Sequence, residues 1–74
     1  MLARGTVPMV VLRPKNEKAR RFLEENGDKW TVAVTVPDPE VRGSRRVMLE
    51  NAVNHNISVW VNEKYDESFE VIYL

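Results

Sequence analysis

The clearest pattern along the chain is at Lys29–Val36, which reads Lys-Trp-Thr-Val-Ala-Val-Thr-Val. In an extended backbone Trp30, Val32, Val34 and Val36 fall on one side and Thr31, Ala33 and Thr35 on the other. Alternation with period two, built from β-branched and aromatic residues, predicts a strand with its heavier face buried. Upstream, Met9-Val10-Val11-Leu12-Arg13 is apolar on both faces and predicts a strand interior to a sheet. Pro8 opens it, where a missing N–H costs nothing in the ladder. Met1–Val7, which contains Gly5, is expected to be a loosely held lead.

Pro14 ends that strand, and Asn16 is placed to cap a helix. Glu17 follows, where a negative charge suits the helix dipole. Ala19, Phe22 and Leu23 then make one apolar stripe at helical spacing. The pairs Glu17–Arg21, Arg20–Glu24 and Arg21–Glu25 stand four apart on the polar side, each adding a few tenths of a kcal/mol. Asn26-Gly27 closes the predicted helix, with glycine suited to the left-handed residue after the last turn. Strand, helix, strand at this spacing predicts either a parallel pair with a right-handed crossover or a third strand inserted between the two.

Val36-Pro37-Asp38-Pro39-Glu40 is a stiff turn, and Val41-Arg42-Gly43-Ser44 continues it. Over Arg45–Asn54, Met48, Leu49, Ala52 and Val53 form a stripe that predicts a second helix. The rival reading of these residues is a strand at Arg46–Leu49 paired with Lys29–Val36, followed by a turn at Glu50-Asn51. Ile57–Asn62 alternates again, with Ile57, Val59 and Val61 against Ser58, Trp60 and Asn62. Phe69–Leu74 is a final strand, joined to its predecessor by the polar, glycine-free Glu63–Ser68. The two are expected to form an antiparallel hairpin. The resulting picture is a single α+β domain over residues 1–74. Its order is β-α-β-α-β-β, with a three- or four-stranded sheet and one or two helices on one face.

Length changes the picture first. A chain of 74 residues supports a core worth about 3–5 kcal/mol. It has no cysteine and one histidine, so disulfides are excluded and a zinc site would need three carboxylates beside His55. No cofactor or metal is expected. Good packing or a partner chain remain as ways to add stability. Met1–Gly5 is not followed by an apolar run of signal-peptide length, and Met9–Leu12 is too short to span a bilayer. A cytoplasmic protein without membrane contact is expected. Net charge is zero, but ten Lys/Arg stand against six Asp/Glu up to Arg46, and one lysine against five acids after it. Such a split can steer a charged partner, although folding interleaves sequence halves.

These residues bear on four kinds of function. Trp60 lies between polar Ser58 and Asn62 in the alternation, so its indole either projects from the wetter sheet face, with Tyr65 and Tyr73 as neighbours, or is covered by the second helix as core, the commoner state of a tryptophan. Exposed aromatics of this kind are enriched among interface hot spots, which points to a protein-binding surface. Arginines at 20, 21, 42, 45 and 46, with Arg13, Lys15 and Lys18, offer a basic surface for nucleic acid, with Trp30 or Trp60 stacking on bases. Zero net charge, a pI near 6.6 and the lack of a recognition motif weigh against that alternative. A free edge at Phe69–Leu74, guarded only by Glu70, offers a second alternative, a self-assembling homodimer. Catalysis has the least support. His55 has no nucleophile in a recognisable pattern, Ser44 and Ser68 read as cap and turn residues, and the adjacent acids Glu24/Glu25 do not face each other on a helix. Asp66/Glu67 is likewise only a sequence-adjacent pair.

The segment Leu12–Asn26, Leu-Arg-Pro-Lys-Asn-Glu-Lys-Ala-Arg-Arg-Phe-Leu-Glu-Glu-Asn, resembles small proteins encoded by bacterial plasmids and phages. The resemblance implies an accessory regulator or inhibitor that acts by binding a larger protein, and carries no chemistry of its own.

Overall fold

A computed structural model describes residues 7–74, which form β1 (Met9–Pro14), α1 (Glu17–Asn26), β2 (Lys29–Pro37), β3 (Arg45–Asn51), β4 (Ser58–Asn62) and β5 (Phe69–Tyr73). The expected N-terminal lead lies outside these residues except for the exposed Val7. The five strands make one antiparallel sheet in the order β4-β3-β2-β1-β5. Among the described residues, the expected three- or four-stranded sheet with one or two helices is therefore replaced by five strands and a single short helix.

The helix forms where its end signals place it. Asn16 is extended, with φ −152°, and its Oδ1 accepts from the Ala19 N–H at 2.8 Å. Gly27 takes a positive φ of 88° and its N–H donates to the Leu23 carbonyl at 2.7 Å. Arg20 bonds both Glu17 and Glu24, and Arg21 reaches Glu17 at 3.3 Å. Ala19 and Leu23 are buried, while Phe22 lies along the boundary and stacks on Trp30, with ring centroids 5.8 Å apart.

Neither expected arrangement of the first two strands is found. β1 and β2 are direct antiparallel neighbours, with Val10 opposite Trp30. The helix is a long hairpin connection that folds back over the inner face.

The predicted second helix at Arg45–Asn54 is strand β3. Val47, Leu49 and Asn51 are buried, whereas Arg46, Met48 and Glu50 face outward and are half-covered. Pairing to β2 and β4 on its two sides satisfies the backbone of this segment more fully than an isolated helical turn. The rival strand reading was nearer, but it placed a turn at Glu50-Asn51. Both residues are in the strand, and the turn follows it. Asn51 Oδ1 accepts the N–H groups of Val53 and Asn54, each at 2.9 Å, and holds that turn.

The predicted hairpin of the last two strands is also absent. β4 pairs with β3, and β5 pairs with β1 at the opposite edge, Val10 facing Tyr73 and Pro14 facing Phe69. Outer strands of a flat five-stranded sheet would stand about 19 Å apart. The Glu63–Ser68 connection is folded into turns rather than extended, and the sheet curls to bring its two edges together. Phe22 bridges the two edges, touching Phe69 at 5.8 Å between centroids and sharing a hollow with Val59. Lys15 N–H donates to the Ser68 carbonyl at 2.8 Å. Tyr73 donates its hydroxyl to Glu63 Oε2 at 2.7 Å across the far end of the seam.

The curled inner face is the core: Val10, Leu12, Trp30, Val32, Val47, Leu49 and Val61, closed by Leu23. Removing a buried leucine costs about 2–5 kcal/mol, most of what such a core supplies. Leu49→Ala should therefore unfold the protein or lower its stability by about 3 kcal/mol in urea denaturation, whereas Met48→Ala should cost less than about 1 kcal/mol. Equal losses at the two positions would contradict the strand and restore the helical stripe.

Candidate functional site

The outer face of β2, β3 and β4 carries the largest group of exposed apolar side chains on the strands. Its origin is a bulge. Val32 pairs with Leu49, but Val34 pairs with Met48, so Ala33 is an extra residue on β2. One inserted residue reverses which way the following side chains point. Trp30 and Val32 stay in the core. Val34 and Val36, which the unbroken alternation assigned to the same buried face, turn outward and are 39% and 37% exposed. They join Met48 and Trp60, themselves cross-strand partners.

Trp60 is 45% exposed. The Arg46 guanidinium lies 5.8 Å from its ring centroid. Such a contact adds about 0.5–1 kcal/mol at an exposed site and holds the indole against the sheet. Trp60 and Arg46 together form a ridge between two shallow hollows. One, of about 310 Å³, is completed by Val36 and Pro39. The other, of about 210 Å³, runs to Tyr65 and is rimmed by Asp38, Glu40, Asp66 and Glu67.

Asn62 fixes this second hollow. It shares the outer face with Trp60 and Ser58 but is only 8% exposed. Its Nδ2 donates to Asp38 Oδ2 at 2.7 Å and to Ser44 Oγ at 2.8 Å. Its Oδ1 accepts from the N–H groups of Lys64 and Tyr65 at 2.9 and 2.7 Å. Its own N–H donates to Asp66 Oδ1 at 3.2 Å. Asp38 and Asp66 in turn each hold their own turns, Asp38 through Glu40 N–H at 2.8 Å and Asp66 through Ser68 N–H at 3.0 Å. One buried amide thus ties the turn after β2 to the turn after β4, and sets Tyr65, Glu40 and Glu67 around Trp60. The hydrogen bond from Asn62 is the main reason the Asp38 carboxyl is held below its ordinary range, with the Glu40 and Val41 N–H groups and Arg46 adding to it against partial burial.

The other aromatic candidates divide. Tyr65 is exposed beside Trp60. Tyr73 sits on the β5 edge, and its contact with Glu63 belongs to the seam rather than to the Trp60 face. Loss of solvent around the phenol, and then the Glu63 carboxylate, raise its pKa to about 12. Ser58 is exposed at the start of β4, opposite Glu50. The arginines do not converge. Arg20 and Arg21 lie on α1, engaged with its glutamates. Arg45 and Arg46 begin β3 opposite Pro37 and Val36, at the end of β2 away from the helix. Arg42 is in the intervening turn, and Arg45 reaches Glu63 at 3.8 Å.

Six residues of this face are not site candidates in the sequence reading: Val34, Val36 and Met48 are assigned there to apolar faces, Pro39 and Glu40 to a turn, and Glu67 to a sequence-adjacent acid pair. The small Ala33 among valines is the single hint of the bulge. Among the described residues no helix is long and apolar enough to cross a membrane. Comparison with protein-family models, curated proteins and solved structures finds no match for this chain.

Two measurements probe this geometry. Asn62→Ala should cost about 2–3 kcal/mol at neutral pH, because it strands Ser44, Asp38 and two turn N–H groups. Part of the cost comes through Asp38, whose lowered pKa gives stability that is present above its ordinary value and lost as pH falls through the lowered one. The gap between wild type and variant should accordingly narrow in acid melts. At the other extreme, Tyr73 stays neutral in the fold after an unfolded tyrosine has ionised. Its contribution is complete below about pH 10 and is lost as pH rises to about 12. Tyr73→Phe should remove that alkaline loss and delete the latest tyrosinate step from the ultraviolet titration. An unchanged late step would show that Tyr73 is not the tyrosine whose ionisation is delayed.

Proposed function

We propose that the protein is a non-catalytic protein-binding module that works by seating the outer β2–β3–β4 face on a larger protein. The observation that carries this reading is the half-exposed Trp60, stacked by Arg46 and flanked by Val34, Val36 and Met48. A sheet face turned to water ordinarily alternates to polar side chains. Here it presents a contiguous apolar strip with a polar rim, the composition of an interface core. Tryptophan and arginine are the residues most enriched at binding hot spots. The surface is convex and its hollows are shallow, which suits contact with another protein better than enclosure of a small substrate. Action as an accessory regulator or inhibitor in the cytoplasm is part of the same proposal.

The test uses the intact chain as bait in a lysate of its source cells, beside a Trp60→Ala bait. A partner should be retained by the wild type and bind the variant about 30-fold more weakly, the equivalent of roughly 2 kcal/mol at a hot spot. Circular dichroism and the thermal midpoint should be nearly unchanged, since Trp60 lies outside the core. A partner held equally by both baits would overturn the reading. Loss of folding in the variant would show that the indole is structural.

A further inference from the structure

The two hollows beside Trp60 differ in chemistry, and that difference selects the partner. The inference rests on the protein-binding reading above and adds the kind of segment that is bound. On one side of the ridge, Val36 and Pro39 make an apolar floor. On the other, four carboxylates, those of Asp38, Glu40, Asp66 and Glu67, face one guanidinium, that of Arg46. Asp38 and Asp66 are committed to turn N–H groups and to Asn62. Glu40 and Glu67 are exposed, and neither makes an ion pair or a side-chain hydrogen bond among the described residues. The hollow therefore has an excess of negative charge, with two carboxylates unengaged at its rim and the aromatic rings of Trp60 and Tyr65 in its walls. This arrangement repels phosphate and attracts an ammonium or guanidinium group, which gains from the carboxylates and from the exposed Tyr65 ring, the Trp60 ring being already stacked by Arg46.

We infer that the Trp60 face takes an extended, basic segment of a partner protein, which lays an aliphatic side chain in the Val36–Pro39 hollow and a Lys or Arg side chain in the hollow between Tyr65, Glu40 and Glu67. Residues two apart in an extended chain share a face, so a single strand-like segment crossing Trp60 presents both side chains to this surface. Charge complementarity decides among occupants. A nucleic acid would set its phosphates against the acidic rim, and an acidic peptide would do the same with its carboxylates.

A library of random dodecapeptides displayed on phage, selected on the intact protein, tests this directly. Selected sequences should carry Lys or Arg two positions from a large aliphatic residue. A labelled peptide from the selection should bind measurably in fluorescence polarisation and weaken as salt is raised. The surface double variant Glu40→Gln/Glu67→Gln keeps every turn hydrogen bond and should weaken binding about fivefold. Glu40→Lys/Glu67→Lys should weaken it further. Trp60→Ala should weaken it about 30-fold. Selected peptides that are neutral or acidic, no enrichment at all, or affinity indifferent to both glutamate variants would overturn the inference. In each of those cases a partner still lost on Trp60→Ala would leave the broader reading standing. Binding that ignores Trp60 would overturn both. Sedimentation of the protein alone, showing a dimer that Trp60→Ala dissociates, would make a second copy the occupant and overturn the basic-segment proposal.

Discussion

The fold hangs on the burial of Trp30. Its indole is fully inaccessible to solvent, stacks against Phe22 of the helix, and donates Nε1–H to the Gly27 carbonyl at 3.1 Å. It also stands opposite Val10 on one neighbouring strand and Asn51 on the other. One side chain therefore meets the helix, the helix end and the three central strands. A buried tryptophan contributes one of the largest apolar areas a side chain can offer. In a chain this small no other residue could replace that area without opening a cavity. The hydrogen bond to Gly27 fixes the ring's depth, so the helix cannot slide along the sheet without stranding a buried donor.

From that joint the two halves of β2 diverge. The first half, Trp30 and Val32, belongs to the core beneath α1. The second half runs beyond the reach of β1, which pairs no farther along it than Thr31. There the inner face of β2 has little to cover it, as the exposure of Thr35 shows. The Ala33 bulge turns the valines to the other side, where Met48 and Trp60 meet them. The apolar strip on the outer face and the interrupted alternation of β2 are thus one structural fact. A bulge costs ladder regularity and adds twist.

What the amino-acid order revealed follows the range of the forces involved. The helix was legible because its signals are local: Asn16 before it, Gly27 after it, and Ala19, Phe22 and Leu23 between. Lys29–Val36 and Ile57–Asn62 were legible from alternation, Met9–Arg13 from a short run apolar on both faces, and the last strand from its β-branched and aromatic residues. β3 was misassigned because Met48, Leu49, Ala52 and Val53 fit a helical stripe as well as a strand, and no glycine or proline interrupts Arg45–Asn54. Only its two neighbours in the sheet decide the matter. The last strand was found, but its partner was not, since pairing with β1 is a contact between opposite ends of the chain. Trp60 was flagged through its polar neighbours, yet one of those, Asn62, is polar for a different reason. Its amide is a buried fastener between turns, and a pattern of polar and apolar positions cannot separate a residue that faces water from one that satisfies buried backbone.

This separation of duties explains how so small a chain can carry an apolar outer surface. Val34, Val36 and Trp60 give little to the core, whose residues point the other way and are closed by Leu23. They are held in place by the sheet backbone and by the Asn62 fastening, so their side chains are free of the packing constraint that governs Val47 or Leu49. Arg46 stacked on Trp60 keeps part of that strip covered by an aliphatic stem with its charge in water. The strip is therefore carried on paired strand backbone. A preformed apolar ridge loses little conformational entropy on contact, which is the physical advantage of building such a ridge on strands rather than on a loop.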